Sequence, residues 1–208
     1  MATARELPIE DFNANPTITI GTNLIPSLQA CMVSGDGQMS VTFSNTSGQS
    51  IQINFVPPAI PGNPVLFSNI SSFPNTQTIP AGTNASVNYT ITANGETSDP
   101  YCIQINDGPM IVQLSVVNNV VTCTPGMVAV PQTSVMADGT LAIVPAISTY
   151  NYPISWFDNS DPFTPALDSS DGESHASNPG TAGNHYPYTA GDPVENTPGN
   201  GTVIIRSA

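Results

Sequence analysis

Apolar and polar residues alternate one by one along much of this chain. In Gln38–Ser44, Met39, Val41 and Phe43 fall on one side, and Ser40, Thr42 and Ser44 on the other. The same beat returns at Ile51, Ile53 and Phe55, spaced by Gln52 and Asn54, and again at Val87, Tyr89 and Ile91. Successive side chains of an extended strand point to opposite faces, so a period of two sends one face into a core and leaves the other wet. A helix would need a period of 3.6. With 21 Pro and 16 Gly spread over 208 residues, a helix longer than about three turns has few places to form. Thr3–Asp11 could hold a turn or two, interrupted by Pro8.

Turn residues punctuate these runs. Asn45–Gln49 reads as the turn of a hairpin joining the first two. Tyr101–Ile105 and Met110–Val117 read as a second hairpin about Asn106-Asp107-Gly108, where Asp and Gly tolerate positive φ. Asn118-Asn119 turns the chain into Val120–Cys123. Gly126–Val130 and Thr140–Val144 are further strand candidates flanking Ala137-Asp138-Gly139. Ile18–Gly21 and Gly201–Arg206 give the first and last strands. Short strands separated by such turns predict an all-β fold, an antiparallel β-sandwich.

Ala81–Thr92 followed by Pro100–Ile105 resembles immunoglobulin-like and cupredoxin-like sandwiches, a likeness of architecture over about half the chain. A blue-copper site wants a Cys closely followed by His and Met, and an earlier His. Here Cys102 precedes Met110 with no His nearby, and His175 and His185 lie far downstream. The resemblance therefore implies the fold without the copper.

The composition changes near residue 150. From Tyr150 to Gly201 acidic, aromatic, Pro, Gly and Asn residues replace the alternation. A structureless loop of that length is uncommon in a compact domain, and its aromatic content favours docking over disorder. The expectation is a sandwich core over 12–124. Additional strands and a long irregular acidic and aromatic segment over 125–208 would pack on it, with one continuous domain as the alternative.

Charge excludes whole classes of function. Lys plus Arg is 2 and Asp plus Glu is 15, a formal net charge of −13. The two cations are Arg5 and Arg206, so residues 6–205 carry no fixed positive charge. Nucleic-acid binding needs basic side chains to displace counterions, adhesion to anionic membranes needs a basic patch, and Schiff-base chemistry needs a lysine. No run approaches the ~18 apolar residues of a span, so no membrane insertion is expected. The first thirty residues do not read as a signal peptide, because Glu6, Glu10 and Asp11 interrupt them. A surface of Asn, Ser, Thr and Gly in place of Lys and Glu points to an extracellular or cell-surface setting, with the cytoplasm as the alternative.

Three cysteines, Cys31, Cys102 and Cys123, do not make a disulfide framework. A Cys102–Cys123 bridge stands against three buried thiols. Asn-x-Ser/Thr sequons occur at Asn45, Asn69, Asn84, Asn88 and Asn200. The chain has 20 Asn and 43 Ser or Thr, which gives about four by chance, so five carry no signal.

Two clusters bear chemistry. Asp158, Asp161, Asp168, Asp171 and Glu173 place five carboxylates within sixteen residues, with Gly172 for a bend. Hard cations take such oxygen ligands, so one Ca²⁺ shaping this loop stands beside no cofactor and a solvated acidic loop. Tyr150, Tyr152, Trp156, Phe157, Tyr186 and Tyr188 suit the apolar face of a sugar ring, or pin the segment to the sandwich. Phe163 adds a further ring. His175 and His185 read as surface loop residues. No G-x-S-x-G elbow occurs. The reading is therefore a non-enzymatic structural, surface or self-assembling module that contacts itself or another protein through surfaces and strand edges. The alternative is a carbohydrate-binding module using residues 150–190 and contacting glycans, with or without calcium.

Overall fold

The computed structural model describes residues 15–57, 65–124, 132–147, 149–191 and 196–207. It is 54% strand and, among the described residues, holds no α-helix, only 3-10 turns at Phe157–Asn159 and Pro179–Thr181. In chain order the strands are β1 (Thr17–Ile20), β2 (Ala30–Val33), β3 (Met39–Asn45), β4 (Ile51–Phe55), β5 (Asn75–Ile79), β6 (Ala85–Ala93), β7 (Glu96–Thr97) and β8 (Tyr101–Ile105). Then come β9 (Met110–Val117), β10 (Val120–Thr124), β11 (Gln132–Met136), β12 (Thr140–Pro145), β13 (Ile154–Trp156), β14 (Phe163–Thr164), β15 (Ser174–Ser177), β16 (His185–Ala190) and β17 (Gly199–Arg206).

Sheets β1-β3-β5 and β2-β8-β6-β4 enclose a core of Ile18, Val41, Phe43, Ile53, Tyr89, Ile103 and their neighbours. Sheets β10-β9-β12-β15-β14 and β11-β17-β16-β13 enclose another, around Val112, Leu114, Leu141, Tyr152, Tyr188 and Val203. The fold is the β-sandwich that the alternation predicts, and four of its pairings are parallel: β1 with β3, β2 with β8, β9 with β12, β11 with β17.

These pairings reveal a repeat. In the first sandwich β1 runs parallel to β3, which is antiparallel to β5. In the second β9 runs parallel to β12, which is antiparallel to β15. On the opposite sheets the chains β2-β8-β6-β4 and β11-β17-β16-β13 each read parallel, antiparallel, antiparallel. The same seven-strand path is laid down twice. The two paths meet at Asp107–Pro109, between β8 and β9. β10, which ends at Thr124, and β11, which follows it, both lie in the sheets of the second sandwich, so a division there cuts one sandwich in two.

Two expected hairpins are crossings instead. β3 and β4 lie in different sheets, and so do β8 and β9. Alternation says which face of a strand is buried, not which strand it pairs with. The Asn118-Asn119 turn does make a hairpin: both residues have positive φ (51° and 62°) and β9 pairs antiparallel with β10. The candidates Gly126–Val130 and Thr3–Asp11 lie outside the described residues.

A polar seam joins the two sandwiches. Every residue of β8 is buried, because one face meets its own core and the other meets the second sandwich. The Asn88 amide, 2% exposed, mimics a strand partner. Its Nδ2 donates to the Ser134 carbonyl at 2.9 Å, and its Oδ1 accepts from the Ser134 N–H at 2.8 Å. Arg206 donates to the Pro100 carbonyl through Nε (3.1 Å) and Nη2 (2.8 Å) and lies 4.8 Å from the Tyr101 ring centroid. The Ala30 N–H donates to the Ser207 carbonyl at 3.1 Å.

Candidate functional site

Residues 150–190 do not form a loop laid on a sandwich. They supply β13 to β16, and most of their aromatic rings build the second core. Tyr152 and Tyr188 are 1% and 2% exposed. Trp156 stacks against Phe163 (5.7 Å between centroids) and Tyr188 (5.4 Å), and its Nε1 donates to the Leu167 carbonyl at 2.8 Å. Tyr150 meets Tyr152 edge-on at 6.0 Å, and Tyr186 is half-buried beside the same core. Phe157 alone of the six faces solvent, at 53% exposure. Rings used in this way hold the strands of the second sandwich together.

The carboxylates serve the backbone. Asp161 accepts from the Phe163 N–H at 2.9 Å and the Leu167 N–H at 2.7 Å, tying the approach to β14 to the segment that follows it. Partial burial pushes its carboxyl above the ordinary 3.8, against the pull of those two donors and of His175. Asp171 accepts from the Glu173 N–H at 2.9 Å. Asp158 sits at positive φ (58°) with its side chain exposed, as are those of Asp168 and Glu173. The five do not converge. Among the described residues no group of three or more His, Cys, Asp or Glu side chains is placed to hold a metal ion.

The histidines divide. His185 is exposed, with Nε2 3.8 Å from Asp99 across the two sandwiches. His175, expected on the surface, is 3% exposed. It points inward from β15, with Nδ1 2.9 Å from the Pro165 carbonyl and Nε2 3.3 Å from Asp171. Its strand shows the alternation Ser174 out, His175 in, Ala176 out, Ser177 in. Both inward residues are polar, so no hydrophobic signal marks the strand.

All three thiols are buried and unpaired. Cys102 and Cys123, proposed as neighbours, lie on β8 and β10, in different sandwiches. Burial pushes Cys31 and Cys102 up to about 12 and raises Cys123, so none is a ready nucleophile. A cleft of about 200 Å³ opens between Asn23–Ile25 and Glu96–Ser98, floored by Ile91 and Tyr101. Glu96 is its one carboxylate, and no histidine, thiol or second acid lines it, so acid–base pairing is not built into it.

No family model matches the chain, and no curated protein does. Solved structures resemble it distantly. One is a reduced auracyanin from Roseiflexus castenholzii: 17% identity, 45% of this chain and 98% of that one covered, TM-score 0.30. Another is the multicopper oxidase mgLAC: 11% identity, 92% and 86% covered, TM-score 0.30. A third is a multicopper oxidase from Pseudomonas thermotolerans: 9% identity, 93% and 64% covered, TM-score 0.31. Likeness of this degree leaves function to the chain's own side chains.

Proposed function

We propose that this protein is a non-enzymatic structural module, working at a cell surface or outside the cell by contact with further copies of itself or with other proteins. The distribution of charge carries the reading. Residues 37–95 contain no Asp, Glu, Lys or Arg, and Asp36 is the sole charged residue between 12 and 95. The strands β1 and β3 to β6 therefore present only neutral side chains in a chain of net charge −13. Groups that could do chemistry are meanwhile spent on the fold: Asp161 on two backbone N–H donors, the thiols and Tyr188 in cores.

Strand edges narrow where contact would occur. β1 is closed by Ser27, whose N–H donates to the Thr19 carbonyl; β4 by Ile70, which exchanges two hydrogen bonds with Ile53; β10 by Thr197; and β13 by Asp168. Crossing segments thus do the protective work that edge lysines do elsewhere. No described residue makes a backbone hydrogen bond to the outer edge of β5, and that edge is uncharged, the condition for strand addition by a partner.

The remaining carboxylates make copies repel at neutral pH. Molar mass by light scattering should rise with millimolar Ca²⁺, or below about pH 5 where carboxylates begin to protonate. A constant monomer mass across a calcium and pH series would remove self-association from the reading.

A further inference from the structure

The outer face of the sheet β1-β3-β5 carries seven side chains, and all seven are hydroxyls. Cross-strand register sets them in rows: Thr17, Thr42 and Thr76; Thr19 and Ser44; Ser40 and Thr78. The inward positions of the same strands hold Ile18, Ile20, Met39, Val41, Phe43 and Ile79. The fold contains its own control. The matching sheet of the second sandwich follows the same path, yet its outward positions include Ile111, Gln113, Val144 and Ala176. The topology does not demand a hydroxyl face, and only one of its two copies has one.

The hydroxyls are placed as an array. Thr19 Oγ1 lies 2.9 Å from Ser44 Oγ, and Thr42 Oγ1 lies 2.9 Å from Thr76 Oγ1. Ser40 donates to the Asn15 amide oxygen, also at 2.9 Å. A hydroxyl offers one donor and two acceptor positions, so each still has capacity to bond outward after its lateral bond. Hydrogen-bonded hydroxyl and water oxygens stand about 2.8 Å apart, which places two oxygens joined through one tetrahedral water about 4.5 Å apart. Neighbouring strands are about 4.8 Å apart. Within a row, paired oxygens at 2.9 Å and strands about 4.8 Å apart fall near the first- and second-neighbour separations of tetrahedrally bonded water, while successive rows, two residues apart along the strand, stand roughly 6.7 Å apart. Threonine is stiff at χ1, which keeps the oxygens in place, and its methyl groups add apolar surface between them. Among the described residues no charged side chain stands on the face to impose a competing hydration shell. Among the described residues no aromatic ring stands on it either, so the usual grip on the apolar face of a sugar is not seen there.

We propose that this face binds ice, taking the ordered water of a growing ice surface as its ligand. The activity is distinct from self-association and stands whether or not copies assemble. The test is partition of the purified full chain into slowly grown ice, with thermal hysteresis read alongside. The variants are Thr76→Lys and Thr78→Lys, both at exposed outward positions, and Ala176→Lys on the second sandwich. Thermal melts select the variants that fold, and either lysine variant on the hydroxyl face suffices. The wild type and Ala176→Lys should concentrate in the ice, and the folded hydroxyl-face variant should fall at least tenfold. Exclusion of the wild type from ice overturns the proposal, as does a folded hydroxyl-face variant that partitions like the wild type. Retention on cellulose or chitin particles, lost in the same variant while the wild type is excluded from ice, would assign the face to a polysaccharide and equally overturn it.

Discussion

Replacing Asn88 by Ala tests the seam between the sandwiches directly. The substitution removes the two hydrogen bonds to Ser134 and leaves that residue's N–H and carbonyl without their partner in a place where Ser134 is 0% exposed. Each buried backbone group so orphaned costs about 1–3 kcal/mol, so the pair costs about 2–6 kcal/mol. That is a large share of the roughly 5–15 kcal/mol by which a folded domain is stable. At this chain length about 4 kcal/mol corresponds to a melting point lowered by roughly 8–16 °C. Urea unfolding followed by Trp156 fluorescence and by far-ultraviolet circular dichroism measures it, since the single tryptophan lies in the second sandwich. Asn84→Ala is the control: Asn84 is exposed on the turn before β6, and its loss should stay within about 0.5 kcal/mol. An Asn88→Ala midpoint indistinguishable from that control would refute the view that this amide joins the halves.

Other expectations follow from the same contacts. Thiol reagent at mildly alkaline pH should label none of Cys31, Cys102 and Cys123 in the folded protein and all three in denaturant, given their burial and raised values; prompt native labelling would contradict this. The Asp161 carboxyl should titrate above 3.8 by carbon NMR. Because its folded value is raised, the stability it lends is full below the unfolded value and is lost as pH rises through the folded one, so Asp161→Asn should flatten that part of the pH–stability profile. Trypsin, which requires Lys or Arg, has sites only at Arg5 and Arg206; mass spectrometry after long digestion should find the intervening chain uncut, and any internal cleavage would deny it.

What the sequence discloses and what it conceals divide along the range of the interaction. Met39, Val41 and Phe43 alternate with Ser40, Thr42 and Ser44 because burial of one face acts residue by residue, and β3, β4 and β6 are legible for that reason. The Asn118-Asn119 turn is legible because positive φ is a local demand. Partnership is not local. Nothing in Tyr101–Val117 tells that β8 and β9 part into different sheets, and the doubled path appears only when pairings made across dozens of residues are compared. Tyr152, Trp156 and Tyr188 look equally suited to holding a ligand and to holding a core until their neighbours are known. His175 is legible as a titratable group but not as a strand anchor, because the Pro165 carbonyl it meets lies ten residues back; Asp161 meets N–H groups only two and six residues on, but nothing in its spacing separates that turn role from cation binding.

The closing strand has a consequence for how the molecule is made. The first sandwich is complete by Ile105, and its core contacts draw only on what precedes. The second cannot close without β17, whose strands and final residues reach back to β11, Pro100 and Ala30. During synthesis domains generally fold from the N-terminus onward, so the early half can settle while the late half is still leaving the ribosome. The buried back of the early half, with Asn88 and Cys102 on it, then waits in water for a covering that arrives only when β17 has been made. A chain cut just before β17 would be half finished and half bare.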